Sequence, residues 1–406
     1  MLSRRSFLGL VATGVTASIA KPHAGPALVA DRRPSSAAAT LPVDLVNHTS
    51  DTVYAAIYGL DPKREGALAF LRADGHTLFY PPSPTADLTP IGADVAIPLT
   101  GSTPFEVGIP KLVSGRIYVS IGTKLVFLLN PGPSVVQPSV NNPTDPNIST
   151  PWSFFEFTYD DSQLYANISF VDFTSVPISL ALDTAQGMQH VSGLPPGGLD
   201  LISQRLDAQA ATDGANWDKL VVRDSTGSVL RVLSPNQAST PGHDLFNGYL
   251  DEYINAAWNK YRTTDLTIQT QTTWGNATGR VASDGLLTFA GVGTFAKPST
   301  YAVFNCSVPP FSTENNEMGN LSARLAAALN RTTLIANPSQ PVGERLTTFY
   351  KNPTTNHYAR IVHETAGDGL GYAFPYDDVH NATFDVQGRV ASTTPSRLTV
   401  TVTSPT

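Results

Sequence analysis

The chain has 406 residues, 15% charged and 41% hydrophobic, which excludes a disordered protein and suggests about two domains. A net charge of −7 argues against nucleic acid or an anionic membrane as partner and favours a neutral or cationic ligand. Cys306 is the only cysteine, so an intramolecular disulfide and a cysteine zinc site are both excluded, and Cys306 reads as a small buried apolar residue.

The chain opens as an export signal over residues 1–20. Arg4 and Arg5 form a basic start, and Phe7 to Ala20 is an apolar run too short to span a membrane. Ser3 to Leu8 also fits a twin-arginine signal, which leaves the route open. Residues 21–40, rich in Ala, Pro and Ser, read as a linker. Eight Asn-x-Ser/Thr sequons follow, at Asn47, Asn147, Asn167, Asn276, Asn305, Asn320, Asn330 and Asn381. They hint at a secreted glycoprotein and favour plain secretion from a eukaryotic microbe.

From Leu41 to His190 short β runs alternate with turn signals such as Asp74-Gly75 and Ser114-Gly115. Val53–Tyr58, Leu68–Leu71, Ile117–Ile121 and Leu125–Leu129 are rich in β-branched or aromatic residues, the pattern of a sandwich or barrel. Near His190 the period changes. Leu199, Ile202 and Leu206 recur at helical spacing, and Leu220–Val222 and Val229–Leu233 flank a hairpin turn at Asp224–Ser228. The spacing predicts helices over Asp244 to Tyr261 and Leu321 to Leu329, with Asn330 as a left-handed stop. Leu266–Thr270, Leu286–Phe289 and Tyr301–Phe304 read as strands between them, and Tyr358–His363 and Leu398–Val402 as strands near the end. The fold class is therefore mainly β. A β domain of residues 41–190 and 346–406 is interrupted by an α/β domain at 191–345.

One stretch carries chemistry. Trp152 to Asp183 contains Phe154-Phe155-Glu156-Phe157 and, sixteen residues beyond Glu156, Phe170-Val171-Asp172-Phe173. A lone carboxylate between bulky apolar neighbours is costly unless paired, so two of them suggest an acid/base pair. The competing reading is two acids facing solvent on half-buried strands. Period two puts Glu156 on one strand face with Phe154 and Thr158, and Phe155, Phe157 and Tyr159 on the other. Three further motifs fail. Gly291-Val292-Gly293-Thr294-Phe295-Ala296 loosely matches a dinucleotide loop, but Lys297-Pro298 forbids the helix that must follow. His357, His363 and Glu364 have no zinc-motif spacing and read as surface or packing residues, so no metal and no cofactor is expected. A Gly-x-Ser-x-Gly elbow is lacking.

The Trp152–Asp183 stretch resembles the active-site segment of glycoside hydrolase family 64, the thaumatin-like β-1,3-glucanases of the laminaripentaose-producing type. Leu321 to Thr332, Asn356 to Arg360 and Tyr372 to Asp378 are similar to the same family, and the likeness covers nearly all of 41–406. The resemblance implies an endo-acting, inverting enzyme with a wide groove between its two domains. It carries the general acid onto Glu156 and the general base onto Asp172. An acid must hold its proton near neutral pH, which apolar surroundings favour, while the base must stay ionised. Trp152 and Tyr165 are candidates to stack on sugar rings, with ordinary core aromatics as the plainer reading. Asp145, Thr158 and Asp160 suit sugar hydroxyls, and Asp377 and Asp378 read either as the far end of the groove or as turn residues. The implied partner is β-1,3-glucan, bound by a secreted monomer without nucleic acid or membrane. The alternative is a thaumatin-like glucan-binding or antifungal protein without turnover.

Overall fold

The structure, a computed structural model, describes residues 40–239 and 244–405. The export signal lies outside the described residues, as does the linker apart from Thr40, which opens the first strand.

The architecture is mainly β. A five-stranded sheet has the order Gly187–Val191, Ile178–Thr184, Pro395–Val402, Thr40–Asn47, Phe105–Pro110. Thr40–Asn47 and Pro395–Val402 pair in parallel, with Val43 opposite Leu398, so the first and last described strands lie side by side. A larger sheet runs Arg389–Ser392, Leu164–Ile168, Trp152–Tyr159, Leu112–Ile121, Val53–Asp61, Ala67–Leu71, Leu78–Phe79, with Ile97–Leu99 also on Val53–Asp61. Alternate side chains from both sheets meet in one core: Leu41, Val43, Leu180 and Val400 from the first, Ile57, Ile117, Phe155 and Phe157 from the second. The large sheet is also covered over part of its other face. Tyr58, Phe70, Tyr118, Phe127, Trp152 and Phe154 form a second, aromatic core there. Burial on both faces explains why these strands read as nearly continuous apolar runs rather than clean alternations.

The middle of the chain builds smaller units. The Gly198–Asp213 helix buries Leu199, Ile202 and Leu206 as their spacing predicts, and stops at Gly214 in the left-handed region, φ 72°. Val221–Arg223 and Val229–Leu233 form the anticipated hairpin. A second five-stranded sheet has the order Gly293–Phe295, Leu287–Phe289, Asn276–Val281, Leu266–Gln269, Ser339–Gln340.

Four readings change. The helix expected over 244–261 is Asp251–Lys260, because Gly248 takes φ 77° and breaks the chain direction just before it. Asn330 is no left-handed stop. It ends the Glu317–Asn330 helix with its buried amide donating to Val303 O at 2.8 Å, and the positive φ falls at Thr332, 54°. Tyr301–Phe304 lies in the Thr300–Asn305 helix, started by Ser299, whose hydroxyl accepts from Ala302 N. Tyr358–His363 lies in the His357–Thr365 helix, with Asn356 as cap. Tyr358, Ile361, Val362 and Thr365 are all buried there, a spacing of three and four that outweighs the local alternation.

The middle and end of the chain are joined through Arg331, which is fully buried. It donates to Val379 O at 2.8 Å and Asp377 O at 3.0 Å, meets Asp377 Oδ1 at 3.1 Å and Glu344 Oε2 at 3.3 Å, and packs against the Phe349 ring. Arg331→Met leaves two buried carboxylates without their cation. It is expected to cost about 3–5 kcal/mol of stability. Urea unfolding checks this, and a midpoint equal to wild type would show that the cluster reorganises freely.

Candidate active site

The Trp152–Tyr159 strand sits in the middle of the large sheet. Phe157 faces the core over Gly115, where an added Cβ would lie 2.4 Å from its ring, so only glycine allows this approach. Glu156 points the opposite way. Its cross-strand partners are Arg116 on one side and Asn167 on the other. Arg116 in turn faces Tyr58, and Asn167 faces Arg389. Five neighbouring strands thus set Tyr58, Arg116, Glu156, Asn167 and Arg389 in one row across the sheet.

Arg116 Nη2 donates to Glu156 Oε1 at 3.0 Å, with side-chain exposures of 8% and 20%. Its Nη1 donates to Gln137 Oε1 at 3.0 Å and Tyr118 OH at 3.2 Å, and its guanidinium lies 4.5 Å from the Phe154 ring centre. Burial works against this charge, but Tyr118, Tyr58 and Glu156 outweigh it and raise the pKa. The surroundings of Glu156 are therefore cationic on one side, where Arg116 lies against Phe154, and polar on the other, where Asn167 stands, not simply apolar as expected.

Asp172 is held differently. The apolar run that carries it is a bend, which follows Leu164–Ile168 and precedes Phe173–Thr174. A tight hairpin closes with Tyr159 opposite Leu164, so Asp172 lies five residues past the rung of Glu156, and only the bend returns it. Phe170 N donates to Tyr372 O at 2.7 Å and Tyr358 OH to Phe170 O at 2.7 Å, which anchor the bend. Asp172 O accepts from Ser234 N, and Asp172 Oδ1 accepts from Gln237 Nε2 at 2.6 Å. Gln237 sits on the short Pro235–Ala238 helix and takes a hydrogen bond from Asn141 Nδ2 at its own Oε1. Burial raises the Asp172 pKa, and the charge of Glu156 adds to this, while Gln237 and Arg116 oppose it. The two carboxylates thus lie within electrostatic reach of each other and of one guanidinium.

The other sequence candidates separate into groups. Thr158 and Tyr165 are cross-strand partners on the Glu156 face, both half-buried. Tyr165 OH donates to Gln387 Oε1 at 2.6 Å. Trp152 is 2% exposed and buried in the aromatic core, its ring 4.6 Å from that of Phe173, so it has no face to offer a sugar. Asp160 is a turn residue, accepting from Ser162 N and Gln163 N. Asp145 folds its own loop by accepting from Asn147 N at 2.7 Å and Ser139 N at 2.8 Å. Asp377 is fully enclosed with its oxygens on Arg331, His363 and Ala373 N, which leaves it nothing for a ligand. Asp378 is half-buried and accepts from Tyr372 OH at 3.1 Å. A surface depression lined by Arg205, Ala208, Gln209, Thr212, Arg360 and Glu364 contains none of these residues.

Sequence reasoning missed Arg116, Asn167 and Gln237. Arg116 had a signal, a lone cation inside the apolar run Leu112–Ile121, which is the same logic that singled out Glu156. Gln237 had none.

A β-1,3-glucanase family profile matches residues 39–402. The chain is 32% identical to a glucan endo-1,3-beta-glucosidase of Cellulosimicrobium cellulans over 386 residues, covering 93% of this chain and 67% of that one. It is 31% identical over the same shares to one of Arthrobacter sp. (strain YCWD3). Both sources are bacteria and lend no support to a eukaryotic origin. Among solved structures, a laminaripentaose-producing β-1,3-glucanase in complex with laminaritetraose aligns with TM-score 0.80 and 33% identity, over 91% of this chain and 100% of that one. A β-1,3-glucanase domain from Clostridium beijerinckii shares the fold, with TM-score 0.69 and 22% identity over 91% of this chain and 100% of that one. With a mainly β fold and a family match that spans almost the whole described chain, this protein belongs to the β-1,3-glucanases of glycoside hydrolase family 64.

Proposed function

We propose that the protein hydrolyses internal linkages of β-1,3-glucan outside the cell, as a monomer, by a single displacement with inversion. Glu156 gives a proton to the leaving glycosidic oxygen, and Asp172 takes one from the attacking water. The observation that carries this reading is the pair itself. A protein that only bound glucan would have no use for two lone carboxylates within electrostatic reach of each other. Burial suits Asp172 to its role, because a base raised towards the working pH takes a proton more readily. In this reading residues 191–345 form an inserted unit, with the glucan lying along the sheet face that carries Glu156, Thr158 and Tyr165. Four of the eight sequons, at Asn47, Asn147, Asn167 and Asn330, are no more than 2% exposed, which restricts any glycosylation to the other four.

The test is reducing-sugar release from laminarin by the purified protein. Binding without release would favour the non-catalytic alternative. A second result concerns pH. Gln237 donates to the ionised form of Asp172 and so lowers its pKa. In Gln237→Leu that pKa rises further. A base works only when ionised, so activity lost on the acid side is lost at a higher pH than in wild type. Rates on laminarin across the acid range check this, and an unmoved acid limb would separate Asp172 from the base role or Gln237 from Asp172.

A further inference from the structure

Within the row Tyr58, Arg116, Glu156, Asn167, Arg389, one member is unexplained by packing. Asn167 is 1% exposed, and neither its Nδ2 nor its Oδ1 has a hydrogen-bond partner among the described residues. Its row neighbours are served: Arg116 by Glu156 and Gln137, Arg389 by Asp385 at 3.1 Å. A buried amide left unmatched destabilises the fold, and an apolar residue of the same size would not. Its sequon offers no alternative explanation, because a buried side chain takes no glycan.

Residues directly opposite on antiparallel strands have Cβ atoms about 4.5–5.5 Å apart, so the Asn167 amide lies within a side chain's reach of the Glu156 carboxyl. Arg116 already holds Oε1 from the other side. We propose that Asn167 is a positioning residue for Glu156, its Nδ2 donating to the second carboxyl oxygen as negative charge develops there. This rests on the acid role given to Glu156 above. The Glu156 proton passes to the glycosidic oxygen, and the bond from that oxygen to the anomeric carbon breaks, its electron pair staying on the oxygen. Water bonds to the carbon, and its proton goes to Asp172. Glu156 ends as a carboxylate between Arg116 and Asn167. A donor that is unmatched at rest and matched only as charge appears stabilises the transition state selectively, which raises kcat.

The test uses Asn167→Leu and the isosteric Asn167→Asp in the full chain on laminarin. Removing one preorganised donor costs up to about 10²–10³ in kcat. Asn167→Leu is expected to lose at least about tenfold in kcat with KM unchanged, while its thermal midpoint stays equal or rises. Asn167→Asp keeps the shape and, once ionised, offers no donor and sets a second negative charge beside Glu156, so it is expected to lose kcat likewise. Wild-type kcat in either variant overturns the proposal. So does an Asn167→Leu variant that fails to fold or loses activity in step with its midpoint, since that marks a structural role. A KM rise with kcat intact also overturns it, placing Asn167 on the substrate instead. If wild type itself releases no sugar, the assigned activity fails, an outcome distinct from all of these.

Discussion

Glu156→Gln is expected to bind laminari-oligosaccharides as wild type does and to hydrolyse laminarin more slowly by about 10²–10⁴-fold, the usual worth of general acid catalysis. The variant is a clean one. Glutamine keeps the shape, and its amide oxygen can still accept from Arg116 Nη2, so the row across the sheet survives. Only the transferable proton is lost. Without it the departing sugar must leave as an alkoxide, while binding, which does not depend on one transferable proton, is left alone. Titration with oligosaccharide and initial rates on laminarin give the two halves of the result. A variant that keeps more than about a tenth of the wild-type rate would remove Glu156 from the acid role, since general acid catalysis is worth far more than that.

Asp172→Ala should be nearly inactive, and the stereochemistry of the wild-type product should say why. A base acting on water gives one displacement, so the β-linkage yields the α-anomer. A nucleophile gives two displacements and returns the β-anomer. The inverting route needs space for water, with carboxyls about 6.5–9.5 Å apart rather than the ~5–5.5 Å of retaining enzymes. The bend that carries Asp172 past the rung of Glu156, pinned by Ser234, Gln237 and Tyr372, supplies a way to set such a gap. Asp172→Ala also frees the Gln237 amide. A small anion such as azide is expected to restore part of the rate with a substrate bearing an activated leaving group. Proton NMR of fresh product, read before mutarotation, decides the matter. An initial β-anomer signal, or a glycosyl ester trapped on Asp172, would show the base assignment to be wrong with the family unchanged.

The chain's own pattern determined its mainly β class, the helix over Leu199 to Leu206, the hairpin around Asp224–Ser228 and the face on which Glu156 stands. All of these follow from periods of two and three to four read over a few neighbouring residues, where backbone geometry alone sets which side chains share a surface. The same local reading misplaced Tyr358–His363 and Tyr301–Phe304, because a short alternating run is also compatible with a helix whose buried face repeats at three and four. Trp152 shows the limit most clearly. It shares the strand parity of Glu156, but Tyr118 and Phe173 close over it, one brought by strand pairing and the other by the bend beyond Ile168. Asp377 likewise reads as a groove or turn residue until Arg331, forty-six residues away, arrives beside it. What only the tertiary structure decided is which groups stand next to the two acids. Arg116 lies forty residues before Glu156, and Gln237 sixty-five residues after Asp172. Register between distant strands is set by summed packing over whole faces, so no short window of sequence contains it.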